Sequence, residues 1–182
     1  MNYQTDKLAN GLIAEYEKLF ADYKNKPLKI LEIGVYTGGS LKWLVDFFPN
    51  ATVVGGDILL RDAEGIKKYN SRIDSIWQLD QSIPASFAEM IKKCGPFDIV
   101  IDDGHHSHIL TKNTFETLWK EVNSGGIYII EDFLPGYSKY RQYRGMPNFI
   151  TYIMLGKNWL GISDYGVVVK EPKCSYAYFK KR

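Results

Sequence analysis

Leu28-Lys29-Ile30-Leu31-Glu32-Ile33-Gly34-Val35-Tyr36-Thr37-Gly38-Gly39-Ser40 decides the fold of this chain. Its first six residues are mostly apolar, the pattern of a short strand buried on both faces of a parallel sheet. Gly34 to Gly39 is a tight glycine loop. Ser40 is placed to cap a helix that carries Leu41, Leu44, Val45 and Phe48 on one face and stops at Pro49. Strand, glycine loop and helix in that order make the first half of a βαβ unit.

The pattern repeats downstream. Ala51 to Asp57 is a second strand, followed by a weaker helix from Ala63 to Tyr69. Asp74 to Asp80 is a third strand. Ser82 then opens a helix whose Phe87, Met90, Ile91 and Cys94 share a face, closed by Gly95-Pro96. The fourth strand begins at Phe97 and runs into Asp102-Asp103-Gly104-His105-His106-Ser107-His108, which holds every histidine of the chain. A helix from Thr111 to Val122 leads to a fifth strand, Ile127 to Ile130, ending in Glu131-Asp132. The stretch from Phe133 to Gly161 is aromatic (Tyr137, Tyr140, Tyr143, Phe149, Tyr152, Trp159) and helical in patches. Tyr165 to Val169 and Tyr176 to Phe179 alternate around Glu171-Pro172-Lys173 and form a hairpin. Upstream, Leu8, Leu12, Tyr16, Leu19 and Tyr23 recur at helical spacing after Thr5-Asp6. They predict one N-terminal helix, weakened by Gly11 and ended at Pro27.

These elements predict an α/β fold: a Rossmann-like, doubly wound, mostly parallel sheet of about seven strands with a C-terminal antiparallel hairpin. At 182 residues, 45% hydrophobic, the chain makes one domain with a helical segment over residues 1–26. A net charge of +2 with 24% charged residues leaves no nucleic-acid footprint. Two cysteines without metal or disulfide spacing fit a reducing compartment. With neither a signal-peptide core nor a bilayer-spanning run, a cytoplasmic protein without a membrane partner is expected.

In such sheets ligands sit beyond the carboxyl ends of the strands. Here Glu32 with Gly34, Asp57, Asp80, Asp102 with Asp103, and Glu131 with Asp132 fall at five successive ends. The first loop is Glu32-x-Gly34-x-x-x-Gly38, not the G-x-G-x-x-G dinucleotide fingerprint. Its carboxylate would repel a pyrophosphate and suits a cationic or hydroxyl-bearing ligand. Asp57 is placed to accept both hydroxyls of a ribose. Asp80 with Gln81-Ser82 is placed to meet an adenine amino group, although a plain helix cap fits those residues equally well. A nucleoside with a cationic tail instead of phosphates is S-adenosylmethionine (SAM), so Glu32, Gly34, Gly38, Ser40, Asp57, Asp80, Gln81 and Ser82 form the cofactor set.

The Glu32-x-Gly34-x-x-x-Gly38 loop with Asp57 resembles the cofactor motif of class I methyltransferases. Thr5-Asp6-Lys7, Leu31 to Leu41, Ile101 to His106 and Gly125 to Asp132 resemble the macrolide-sugar O-methyltransferases of the mycinamicin and macrocin type, with the cephalosporin-hydroxylase-like family near them. The resemblance implies Mg²⁺ held by Asp103, Glu131 and Asp132, His106 as the base, and Asp102 facing the cofactor. It also implies a flap over the cofactor at Thr5-Asp6-Lys7. The residue before the motif histidine is usually serine; here it is His105, which leaves His105 and His106 both open as the base.

The residue chemistry supports this on its own. Three carboxylates this close would not all stay ionised without a cation. Hard oxygen donors suit Mg²⁺ or Ca²⁺ better than Zn²⁺. A histidine titrating near neutrality can take a hydroxyl proton. The expectation is therefore a Mg²⁺- and SAM-dependent O-methyltransferase acting on a sugar or other small diol-bearing molecule, with residues 133–163 on the acceptor side. A homo-oligomer stays open. Two alternatives also stay open: a metal-dependent hydrolase or hydroxylase on the same acids and histidines, and a non-catalytic SAM-binding module.

Overall fold

The structure is a computed structural model and describes residues 3–133, 145–170 and 174–182. Tyr137, Tyr140 and Tyr143, and the hairpin turn Glu171-Pro172-Lys173, lie outside the described residues.

One seven-stranded sheet in the order β3-β2-β1-β4-β5-β7-β6 organises the chain. Strands β1 (Lys29–Ile33), β2 (Thr52–Asp57), β3 (Ile73–Gln78), β4 (Phe97–Asp102) and β5 (Val122–Glu131) are parallel. Strands β6 (Ile162–Lys170) and β7 (Cys174–Lys181) form the expected hairpin, and β7 runs antiparallel to β5. Successive residues of a strand point to opposite faces, and both faces are covered. On β1 and β5, Ile30, Ile127 and Ile129 enter one buried cluster, whereas Leu31, Tyr128 and Ile130 enter the other. The strand order reverses between β1 and β4, the switch point at which such sheets bind ligands.

Seven α-helices flank the sheet among the described residues: α1 (Asp6–Ala9), α2 (Leu12–Leu19), α3 (Gly39–Phe47), α4 (Ala63–Tyr69), α5 (Ala88–Cys94), α6 (His108–Leu118) and α7 (Met146–Leu155). Four details differ from the periodicity. The N-terminal helix breaks at Gly11, whose φ of +82° resets its phase. Leu8 is then exposed and Lys7 buried, the reverse of the apolar pattern. Ser40 caps nothing: α3 starts at Gly39 behind left-handed Gly38, two residues earlier than a Ser40 cap would allow, and the Ser40 hydroxyl turns inward. Ser82 likewise precedes a 3-10 turn at Pro84–Phe87 rather than opening α5. The cap of α6 is Ser107, whose Oγ accepts from the Leu110 amide, and the helix starts at His108 rather than Thr111. Among the described residues no helix is long and apolar enough to cross a membrane.

Candidate active site

The carboxyl ends of β1, β2, β4 and β5 open into one cavity of about 560 Å³, a volume ordinary for a small-molecule site. Gly34, Ser40, Asp57, Asp80, Gln81, Asp103, His105, His106, Glu131 and Asp132 line it, and the segment from Gln4 to Lys7 lies across it.

The loop after β1 fits where no side chain would. A Cβ on Gly34 would stand 2.0 Å from the Asp103 carbonyl oxygen, and one on Gly39 1.9 Å from the Tyr3 carbonyl. The first contact brings the β1 loop against the β4 end. The second seats the N-terminal segment on the start of α3. Asp57 accepts from the Tyr36 amide at 2.8 Å and the Leu59 amide at 2.9 Å, so backbone donors fix its carboxylate at the cavity wall. Asp80 accepts from the backbone and hydroxyl of Ser82, and these bonds hold its carboxyl below the usual range. Asp80 and Gln81 line the cavity, whereas Ser82 and Gly38 stand behind it. Glu32 is wholly buried and accepts from Ser40 Oγ at 2.6 Å and Lys7 Nζ at 2.8 Å through one oxygen, Oε1. Its other oxygen, Oε2, is buried without a hydrogen-bond partner.

Asp102 does not face the cavity. Strand alternation puts it on the side of Val100 and Tyr128, where it accepts from Gln81 Nε2 at 2.9 Å and Tyr128 Oη at 3.3 Å. Burial pushes its carboxyl up to about 7. Gln81 is correspondingly structural as well as exposed to the cavity: it also donates to Thr114 and accepts from the His105 amide.

At the other end of the cavity, the acids separate into two groups that share Asp103. Asp103, His106 and Asp132 offer ligand atoms within 4.8 Å of one another, and so do Glu32, Asp103 and Glu131. The expected set Asp103, Glu131 and Asp132 does not converge at that spacing among the described residues. The second group already holds a cation. Lys7 Nζ lies 2.8 Å from Glu32, 3.0 Å from Asp103 Oδ2 and 2.7 Å from Glu131 Oε1, with Tyr16 Oη donating to the same Glu131 oxygen at 2.6 Å. Burial pulls the Lys7 ammonium down, but the Asp103, Glu131 and Glu32 carboxylates outweigh it and hold it well above its ordinary range. The sequence placed Lys7 in the flap but not among the acids, because a lysine at helical spacing normally snorkels to solvent. Its signal was present in the charge count: a lysine in the segment set to cover five acidic strand ends.

Burial is the leading cause that raises the remaining acids, Asp103 and Asp132 to about 7 and Glu131 to about 8. Four acids, Glu32, Asp103, Glu131 and Asp132, gather around one ammonium, so this donor set is short of positive charge even with Lys7 in place. Hard, clustered carboxylate oxygens with that deficit fit a divalent cation such as Mg²⁺. His106 Nε2 stands 3.7 Å from Asp103 Oδ1 and 4.0 Å from Asp132 Oδ2. Burial, then the Lys7 and His105 charges, lower its pKa to about 4, so the imidazole is neutral at pH 7. His105 and His108 are exposed, and the three histidines form no ligand group together. The non-glycine residues with positive φ among those described are Gln4, Tyr36, His106 and Asp132, and all four line the cavity. Such conformations cost about 1–2 kcal/mol per residue and concentrate where a side chain must be aimed.

Comparison with known proteins matches this architecture. No family model matches the chain. The mycinamicin VI 2''-O-methyltransferase of Micromonospora griseorubida is 37% identical over 129 residues, 67% of this chain and 31% of that protein. The MycE methyltransferase of mycinamycin biosynthesis, solved with Mg, S-adenosylhomocysteine (SAH) and mycinamycin VI, superposes with a TM-score of 0.80 at 29% identity, over 99% of this chain and 52% of that one. The chain has the class I methyltransferase fold. Within it, the chain is also similar to the demethylmacrocin O-methyltransferase of Streptomyces fradiae, 35% identical over 129 residues, again 67% of this chain and 31% of that protein. The chain spans about a third of the length of these curated relatives. The resemblance to macrolide-sugar O-methyltransferases is thus met in sequence and in fold.

Proposed function

We propose that this chain is a SAM- and Mg²⁺-dependent O-methyltransferase domain acting on a hydroxyl of a sugar-like small molecule. The observation that carries this is one cavity joining two chemistries. A carboxylate held by loop amides, Asp57, lies at one end; Asp103, His106 and Asp132 lie at the other. Relatives named for macrolide-sugar methylation, and a structural neighbour solved with Mg and SAH, support the same assignment.

Asp57 accepts the ribose hydroxyls, and Asp80 with Gln81 borders the base. Asp103 and Asp132 hold the ion, with Glu131 beside them. The bound pair supplies an activated methyl carbon and a Lewis acid for the acceptor hydroxyl. His106 would take the acceptor hydroxyl proton on an imidazole nitrogen as the oxygen bonds to the methyl carbon and SAH leaves with the electron pair of the sulfur–methyl bond. The acids and the left-handed turns at His106 and Asp132 fix the acceptor's orientation, and catalysis is mainly positioning. Of the segment 133–163 expected on the acceptor side, residues 134–144 lie outside the described residues.

Transfer of labelled methyl from SAM to sugar-bearing acceptors, mycinamicin VI first, tests the assignment. The wild type should turn over and excess EDTA should stop it. His106→Ala should lose about 10²–10⁴-fold in turnover with SAH affinity held within about threefold. Failure to bind SAH would sink the cofactor assignment, and full turnover in EDTA would sink the metal.

A further inference from the structure

Lys7 holds each of three acids by one oxygen only. Its ammonium is 3.0 Å from Asp103 Oδ2, while Asp103 Oδ1 is the oxygen that faces His106 at 3.7 Å. It is 2.7 Å from Glu131 Oε1, the same oxygen that Tyr16 grips at 2.6 Å, so both contacts on Glu131 are on one side of the carboxylate. Its third contact, Glu32 at 2.8 Å, lies at the end of β1 and is itself held by Ser40. Lys7 is 4% exposed, so this ammonium is fixed rather than solvated. It cannot rotate away without leaving three carboxylates buried together, an uncompensated burial that costs several kcal/mol per ion on the order of general experience. The segment that delivers it is also fixed, by Tyr3 packed on Gly39 and by the break at Gly11.

We propose that Lys7 is a positioning residue: it clamps Oδ2 of Asp103 so that the other oxygen, Oδ1, is presented to the divalent ion on the side of His106 and Asp132. This rests on the metal-dependent reading above. Second-layer groups of this kind orient ligands, and their loss costs about 10–100-fold in metal affinity or activity. An alternative role for the same lysine is bare counter-charge. The two differ in sign, because a cation that only neutralises the acids competes with Mg²⁺, so its removal would tighten metal binding.

Binding of Mn²⁺ followed by electron paramagnetic resonance, with SAH binding followed by calorimetry on the same samples, separates them. Lys7→Met should weaken Mn²⁺ binding about 10–100-fold while SAH affinity stays within about threefold of wild type. Unchanged or tighter Mn²⁺ binding would overturn the proposal. If Lys7→Met no longer binds SAH and is judged misfolded, Lys7→Arg decides: it keeps the charge and alters the reach. Weaker Mn²⁺ binding in that variant supports a clamp, and wild-type affinity shows that charge suffices and overturns it. A wild type that binds no Mn²⁺ and turns over in EDTA removes the metal reading itself. A wild type that binds Mn²⁺ indifferently to residue 7 removes only the clamp.

Discussion

Gly34→Ala should disable the site, whereas Gly11→Ala, at nearly the same backbone angle, should not. Both glycines are left-handed, at φ +94° and +82°. An alanine at either pays about 1–2 kcal/mol for that conformation. At Gly11 a Cβ meets nothing within 4 Å, so the cost stops there. At Gly34 the Cβ would lie 2.0 Å from the Asp103 carbonyl oxygen and 2.6 Å from its carbon. Ordinary contact begins at 3.4 Å, so the β4 end must retreat by about 3.4 − 2.0 = 1.4 Å. That shift breaks the Asp103 amide bond to the Ile33 carbonyl, now 2.9 Å. A lost hydrogen bond of about 1 kcal/mol and overpacking of about 1–3 kcal/mol add to the backbone term. The total is about 3–6 kcal/mol. At roughly 2–4 °C per kcal/mol for a chain of this size, Gly34→Ala should melt about 10 °C or more below wild type and Gly11→Ala only a few degrees below. Because the retreat carries Asp103 with it, SAH and Mn²⁺ binding should both weaken at least about tenfold in Gly34→Ala and be unchanged in Gly11→Ala. Thermal melts and titration calorimetry measure this. Equal melting losses in the two variants, with SAH binding intact in both, would refute the close approach of the β1 loop to the β4 end.

Asp57→Ala removes the acceptor of two loop amides, Tyr36 at 2.8 Å and Leu59 at 2.9 Å, and with it the proposed ribose contact. At about 1.5–3 kcal/mol for each hydrogen bond to a charged group, SAH affinity should fall tenfold or more by calorimetry, with little change in Mn²⁺ binding. Asp102 gives a pH test: burial raises its carboxyl to about 7 in the folded chain from an unfolded value near 3.8. A raised carboxyl favours the fold only while protonated, so stability should decline as pH rises from about 4 through 7. Asp102→Asn, which cannot ionise, should flatten that decline in melts taken between pH 5 and pH 8, by a few kcal/mol at most on the scale of about 1.4 kcal/mol per pKa unit. An unchanged pH slope would show that Asp102 is not the group responsible.

The β-α order, the glycine loop and the acids at successive strand ends were legible because each depends on local chemistry. Apolar six-residue runs punctuated by glycine and proline have few solutions other than buried parallel strands, and strands of one sheet must end on one side. The hairpin was legible for the same reason, and its strands are longer than the alternation suggested, Ile162–Lys170 and Cys174–Lys181. Caps were less legible: Ser40 and Ser82 read as helix starts and cap no α-helix, whereas Ser107 caps α6.

The sequence by itself determined the class of fold and the address of the site, through the acids and glycines that close five strands. Tertiary structure alone decided how those acids divide. A one-residue step along β4 sends Asp102 to Tyr128 on one face and leaves Asp103 in the cavity, because side chains alternate across a sheet. A left-handed glycine at position 11 turns Lys7 inward across more than a hundred residues of sequence to meet Glu131. The physical reason is charge: buried carboxylates require a cation, and which cation reaches them depends on the path of the chain rather than on its composition.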